Sequence, residues 1–257
     1  MKKSLLLIAS MILTLSAFGQ VAYLQYRVVP ADKEGEFVER ETKYWSQVAK
    51  AAIAQGNLAG WSLWRKVGVT EEGAPNYVFM NIYESAAKMD PSKVWTDENV
   101  QKMGVDPSTV ETNSFTTVAF DYYMQLEDVL GGDNKFAIVN YAKPSNREVF
   151  IEENKNLWKP LHDSNIKNGN NGMVSWGVMS TIYPTGVNAR FSCLTWDGFN
   201  TLADALNYMS YSSPTPGQSN SEWDNVISKS KMNDIMPEGF QYRIIYELVM
   251  VLNPETN

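Results

Sequence analysis

The sequence predicts an α+β protein made of two consecutive βαββαβ units, and three observations carry that expectation. First, residues 56–64 read GNLAGWSLW and residues 169–177 read GNNGMVSWG, nearly the same text 113 positions later. Second, laying residues 37–62 on 150–175 without a gap gives seven identities in 26 positions: Phe37 on Phe150, Glu39 on Glu152, Trp45 on Trp158, Ile53 on Ile166, Gly56 on Gly169, Asn57 on Asn170 and Ser62 on Ser175. Average composition would give about two by chance, so the chain holds an internal duplication. Third, both copies show strand and helix periodicities in one order. At the far ends Phe120, Tyr122 and Glu127 fall on Phe240, Tyr242 and Glu247 at a spacing of 120, so the second copy carries seven extra residues in a connection.

Each copy opens on a period-2 strand, Ala22–Val29 or Phe136–Ala142, closed by Pro30 or Pro144. A helix comes after it, with Phe37, Tyr44, Trp45, Val48 and Ala52 at helical spacing in the first copy and Phe150, Leu157, Trp158 and Leu161 in the second. Gly56 and Gly169, each followed by Asn, stop it, because a left-handed C-terminal cap favours those residues. Two strands come next, Trp61–Val67 with Tyr77–Glu84 and Met173–Ile182 with Ala189–Asp197. A polar, helical connection then leads to a last strand, Phe120–Asp128 or Phe240–Leu252. This order is the ferredoxin-like arrangement. The repeats occupy residues 20–131 and 135–257, joined at Gly131, Gly132 and Asp133.

Residues 1–19 of MKKSLLLIASMILTLSAFGQ read as a secretory signal peptide: two lysines, a short apolar core and small residues at Ala17 and Gly19. That core is too short for a bilayer, which needs ~20 apolar residues. The mature chain is therefore expected to be exported, periplasmic or secreted, with no membrane segment after cleavage. A lone Cys193 excludes an intramolecular disulfide and reads as a small buried hydrophobe. Forty-four per cent apolar residues, with eight Trp, thirteen Tyr and ten Phe, suffice for a packed core. A formal charge of -7 argues against nucleic acid or an anionic membrane as partner.

Over nearly the whole of residues 20–257 the chain resembles the dimeric α/β-barrel superfamily, which includes the antibiotic-biosynthesis-monooxygenase-like proteins. The residues that carry the resemblance are the helices FVERETKYW and VFIEENKNLWKPLH, the G-N turn after each, the aromatic second strand and NYVFMNIYE. In that superfamily two such units press sheet against sheet around a barrel, usually as a homodimer. The resemblance implies that both halves are here made as one chain, a monomer with an internal pseudo-dimer, although open sheet edges pairing between chains would give a homodimer. It implies fold more than function, since members oxidise quinols, bind haem or have no known activity.

Strand parity separates the two faces of each sheet. An apolar set Val78, Met80 and Ile82 is expected against the helices, which turns Phe79, Asn81 and Tyr83 into the barrel together with Gln25, Arg27, Ser62 and Trp64. In the second copy Asn140, Ser175, Arg190, Ser192 and Trp196 are the inward counterparts. Aromatic walls with a few polar groups suit a small apolar or aromatic ligand. The structural alternative is a filled interface, with Arg27 or Arg243 neutralising Glu127 or Glu247. His162, the only histidine, stands where the first copy has Ala49. It is either a partly exposed helix residue or the candidate for haem ligation or general-base work. One His and one Cys leave no metal-binding pattern, and the helix acids Glu36, Glu39, Glu152 and Glu153 read as a solvated face. The segment Tyr208–Glu222, rich in Ser, Pro and Gly, reads as a loop long enough to cover a barrel mouth.

Two functions of different class remain open. In one, an exported binding or interaction module holds a small molecule in the barrel between the repeats. In the other, a cofactor-independent, monooxygenase-like oxidoreductase uses Trp64, Asn81, Tyr83 and Arg27 to orient an aromatic substrate. No residue announces itself as the proton acceptor that the second requires.

Overall fold

A computed structural model describes residues 19–210 and 221–254. The signal peptide and the middle of the Tyr208–Glu222 segment lie outside the described residues. Among those described, no helix is long and apolar enough to cross a membrane.

Eight strands close into one antiparallel barrel. They are β1 (Val21–Val28), β2 (Gly60–Lys66), β3 (Tyr77–Tyr83), β4 (Thr117–Gly131), β5 (Phe136–Ala142), β6 (Met173–Tyr183), β7 (Cys193–Phe199) and β8 (Tyr242–Leu252). Their order around the barrel is β1-β3-β2-β8-β5-β7-β6-β4. Each repeat thus contributes a four-stranded ferredoxin-like sheet, and the sheets meet edge to edge at two seams, β2 with β8 and β4 with β6. The open edges that would invite a second chain pair within this one. One chain is therefore a complete pseudo-dimer.

A long helix covers the outside of each sheet. The first, α1, runs from Glu34–Arg40 through a π-helical turn at Glu41–Trp45 into Ser46–Ala54. The second, α2, runs from Arg147–Glu153 through a π turn at Asn154–Trp158 into Lys159–Asn168. The extra residue of a π turn rotates the remainder of the helix about its axis, and such turns gather at functional sites. Gly56 and Gly169 come directly after the helices at φ 73° and 66°, the left-handed conformation their sequence context predicts. Short helices, Pro91–Val94, Asp97–Gln101 and Pro107–Val110, fill the later connection of the first repeat. In the second repeat α3 (Leu202–Met209), α4 (Ser221–Lys229) and α5 (Met232–Ile235) do so.

Two expected alignments shift by a few residues. Trp61 pairs with Asn81, and Trp176 with Asp197, so Trp61 corresponds to Trp176 rather than to Val174. The helical turn Asn170–Gly172 absorbs the offset. Gln25 lies opposite Asp121 and Asn140 opposite Arg243, which places the last strands 122 apart rather than 120.

The core is layered. Phe37, Trp61, Tyr77 and Phe79 pack between sheet and helix in the first repeat, as Phe150, Trp176, Val178 and Phe199 do in the second. A third cluster, with Leu24, Tyr26, Tyr122, Met124, Tyr141 and Tyr246, fills the barrel interior. Both faces of each sheet are therefore buried, and parity alone does not say which face looks inward.

Candidate functional site

The parity assignment is reversed for half of the candidate residues. Val78 and Met80 line the lumen, whereas Phe79, Asn81 and Tyr83 line a cavity on the helix side together with Gln25 and Arg27. Asn140 likewise faces the helices of its own repeat. Trp64, Ser175 and Trp196 do line the lumen, and Ser62 accepts the Trp64 indole N–H at 2.8 Å. Arg190 precedes β7, since that strand begins at Cys193. Its backbone N–H donates to Tyr122 Oη at 2.9 Å and its guanidinium sits 4.6 Å from the Phe120 ring centre. The inward set thus splits into three places, since both faces of each sheet carry large apolar and aromatic residues.

The charge pairing is also different. Glu247 pairs with Arg65 across the β2–β8 seam at 2.7 Å, and Glu127 accepts from the Ser180 hydroxyl at 2.6 Å. Neither meets Arg27 or Arg243.

The lumen cavity, about 230 Å³, is bounded by Leu24, Tyr26, Val139, Met179 and Leu194, with polar groups at Ser175 and Asn134. Its walls are largely apolar, and of its other polar groups the Tyr141 and Tyr246 hydroxyls bond each other at 3.0 Å and the Trp64 N–H is donated to Ser62. The helix-side cavities are chemically richer and equivalent by position. In each, the tryptophan that ends the π turn (Trp45 or Trp158) and the strand tryptophan (Trp61 or Trp176) supply walls, and one buried carboxyl lines the same space.

In the larger, second-repeat cavity of about 480 Å³ that carboxyl is Asp197, 4% exposed. Its Oδ2 accepts from Asn140 Nδ2 at 2.8 Å, and Asn140 Oδ1 accepts from Arg243 Nε at 2.8 Å. Burial pushes its pKa up to about 6, against the pull of the Asn140 hydrogen bond and the Arg243 charge. Trp158, Trp176, Tyr208, Trp223 and Phe240 give the cavity aromatic walls.

His162 lines this cavity and is 7% exposed, not partly exposed as helix position alone suggests. Its ring lies between Trp176 (5.2 Å, 21° between planes) and Trp158 (6.4 Å, 27°). Burial lowers its pKa to about 4, so the imidazole is neutral, and Nδ1 is buried with no hydrogen-bond partner. Iron-bound histidines normally donate this second nitrogen to an acceptor that orients the ring. The residues present do not supply one, so they do not fit haem ligation through His162. Among the described residues no three His, Cys, Asp or Glu side chains gather as a metal site.

In the first-repeat cavity, about 240 Å³, the buried carboxyl is Glu41, which accepts the Thr112 hydroxyl at 2.7 Å. Sequence reasoning passed over Glu41 and Asp197. Glu41 hides in an acid-rich helix, yet it sits one turn from both Phe37 and Trp45 on the buried face. Asp197 alternates against Trp196 on β7 and so shares the helix side with Thr195.

No family model matches the chain, and no curated protein sequence does. Solved structures match its fold. A candidate monooxygenase from Fusobacterium nucleatum superimposes with a TM-score of 0.57 at 15% identity, over 92% of this chain and 95% of the other. An anthrone oxidase-like protein does so at 0.54 and 10%, over 93% and 94%. A mutant chlorite dismutase from Candidatus Nitrospira defluvii in complex with cyanide does so at 0.52 and 8%, over 91% and 92%. At these identities the likeness establishes the fold, and the chain has the dimeric α/β-barrel fold with both halves in one polypeptide.

Proposed function

We propose that the protein is an exported small-molecule-binding protein whose ligand is a planar aromatic compound seated in the second-repeat cavity. The observation that supports this most is the Arg243–Asn140–Asp197 hydrogen-bonded chain at the floor of an aromatic-walled space of about 480 Å³. Stacked walls with a few fixed polar groups are how proteins hold such ligands. The barrel lumen, favoured by strand parity, is the rival place for the ligand. Anthrone, the compound for which one fold neighbour is named, is the probe. Titrated under argon, it should quench tryptophan emission in the parent chain and lose at least tenfold in affinity in Trp158→Ala. Equal affinity in the two would refute the placement. Export rests on residues 1–19, and the mass of the chain recovered outside the cytoplasm tests it.

A second reading, cofactor-independent oxidation of the bound aromatic compound, draws on one further observation. Burial pushes the Asp197 carboxyl up to about 6, which makes it a stronger base than an ordinary aspartate and still ionised at physiological pH. Its carboxylate would accept a proton from the anthrone methylene, leaving a delocalised anion that gives electrons to dioxygen. The overall change, anthrone plus O2 to anthraquinone plus water, balances without a cofactor. Arg243, through Asn140, holds the carboxyl in place. Loss of anthraquinone formation in Asp197→Asn, with anthrone binding kept, is the expected result. Undiminished turnover in that variant would sink the enzymatic reading. Haem addition is a separate check, and a Soret band would overturn the misfit at His162.

A further inference from the structure

We propose that the first-repeat cavity is a separate binding site for a small zwitterion, in which a short linker joins an ammonium group to a carboxylate. This does not rest on the second-repeat cavity.

Two groups of opposite charge, Glu41 and Arg27, line one partly open cavity of about 240 Å³ and form no salt bridge with each other. Glu41 is 7% exposed, its hydrogen bond comes from the neutral Thr112 hydroxyl, and it joins no ion pair among the described residues. Arg27 donates through Nε to Gln25 Oε1 at 2.8 Å and through Nη1 to Asn113 Oδ1 at 2.8 Å and Thr116 Oγ1 at 2.9 Å, again neutral partners. Buried charges are normally paired, since each loses hydration that only an opposite charge restores. Glu41 presents that deficit to the cavity, and Arg27, half-buried, adds its positive charge to the same lining at a distance too great for a salt bridge.

The walls say which charge goes where. Trp45, Trp61, Trp95, Phe79 and Tyr83 line the space. A carboxylate among indole faces attracts an ammonium group by charge and by the ring quadrupoles together. With Nε and Nη1 of Arg27 donated to Gln25, Asn113 and Thr116, its Nη2 is left to donate to a ligand carboxylate. A simple cation would be repelled by Arg27 and a simple anion by Glu41, whereas a zwitterion answers both. The second repeat has Asn154 at the Glu41 position and Ala142 at the Arg27 position, so the charge pattern belongs to this cavity alone.

Glycine betaine, with choline and acetate as half-ligands, is the probe for calorimetry on the full mature chain. At pH 8 betaine should bind, and choline and acetate at least tenfold more weakly. Glu41→Gln, which keeps an acceptor for Thr112, should weaken betaine at least tenfold. Trp95→Ala, at a residue 42% exposed and so mild for folding, should weaken it severalfold. Lowering the pH to 6 should weaken it too, because burial pushes Glu41 up to about 7. The other titratable groups facing Glu41 are Tyr23 and Arg27 from β1 and Tyr83 from β3, which keep their charge state over that range. Asp197→Asn should leave betaine binding unchanged. Absence of betaine binding by the folded chain, equal binding by Glu41→Gln and Trp95→Ala, or choline binding as tightly as betaine would each overturn the proposal.

Discussion

Glu41 and Asp197 are the buried carboxyls of two equivalent cavities, yet they stand on opposite walls, Glu41 on the helix and Asp197 on the strand. The amides have changed places with them, Asn81 on the strand of the first repeat and Asn154 on the helix of the second. Duplication has thus kept one acid per cavity while inverting the polarity of the site. Two copies of one fold can in this way serve different ligands.

Both carboxyls should make the protein less stable as pH rises. Their folded pKa values, about 7 and about 6, lie above the unfolded 4.5 and 3.8, so the folded chain holds protons the unfolded chain releases. Relative to high pH, their contribution is fully present below about pH 4, falls between about pH 4 and 7, and levels off above. At 1.36 kcal/mol per pKa unit each contributes at most roughly 3 kcal/mol. Denaturation of Glu41→Gln and Asp197→Asn at pH 5 and pH 8 should show a gain that grows with pH, and a gain independent of pH would contradict the cause given.

His162 works in the opposite sense. Its folded pKa of about 4 lies below the unfolded 6.5, so stability drops as pH falls from 6.5 towards 4. Replacing a buried, unpartnered ring nitrogen by an apolar side chain removes that penalty. His162→Leu should unfold at a Tm that changes less between pH 7 and pH 4.5 than the parent's.

Gly177 and Gly35 should respond to alanine with opposite signs. A Cβ at Gly177 would come within 2.0 Å of the Trp196 indole, which must then swing into the lumen, whereas at Gly35 nothing lies within 4 Å. Gly177→Ala should cost about 1–3 kcal/mol, and Gly35→Ala, inside α1, should add about 0.5–1 kcal/mol. Urea denaturation checks both.

The seam ion pair Arg65–Glu247 is half-exposed and should matter little. Arg65→Ala is expected to lose no more than about 1 kcal/mol and to keep the parent's sedimentation coefficient in analytical ultracentrifugation. A change of oligomeric state in that variant relative to the parent would mean that the barrel seam depends on this pair.

Much of the architecture was legible in the sequence, because strand alternation, the helical spacing of Phe37, Trp45 and Val48, and the Gly-Asn stops are local signals. The duplication showed two repeats, and the family resemblance implied that they close one barrel. The faces were not legible: with apolar layers on both sides, Phe79 and Val78 alternate without marking which one meets the helix. Glu41 was not singled out from its acid-rich helix, although its distance of one turn from Trp45 marks its face. The offsets at Asn170–Gly172 and in β8 came from small insertions that a gapless comparison does not see.

Crystals of residues 20–257 grown with anthrone under argon would decide between the helix-side cavity and the lumen. The expected result is ligand density between α2 and the sheet of the second repeat, beside Trp158 and Trp176 and within reach of Asp197. Density in the barrel lumen between Trp64 and Trp196, with the helix-side cavity free of it, would contradict that placement and with it the role given to Asp197.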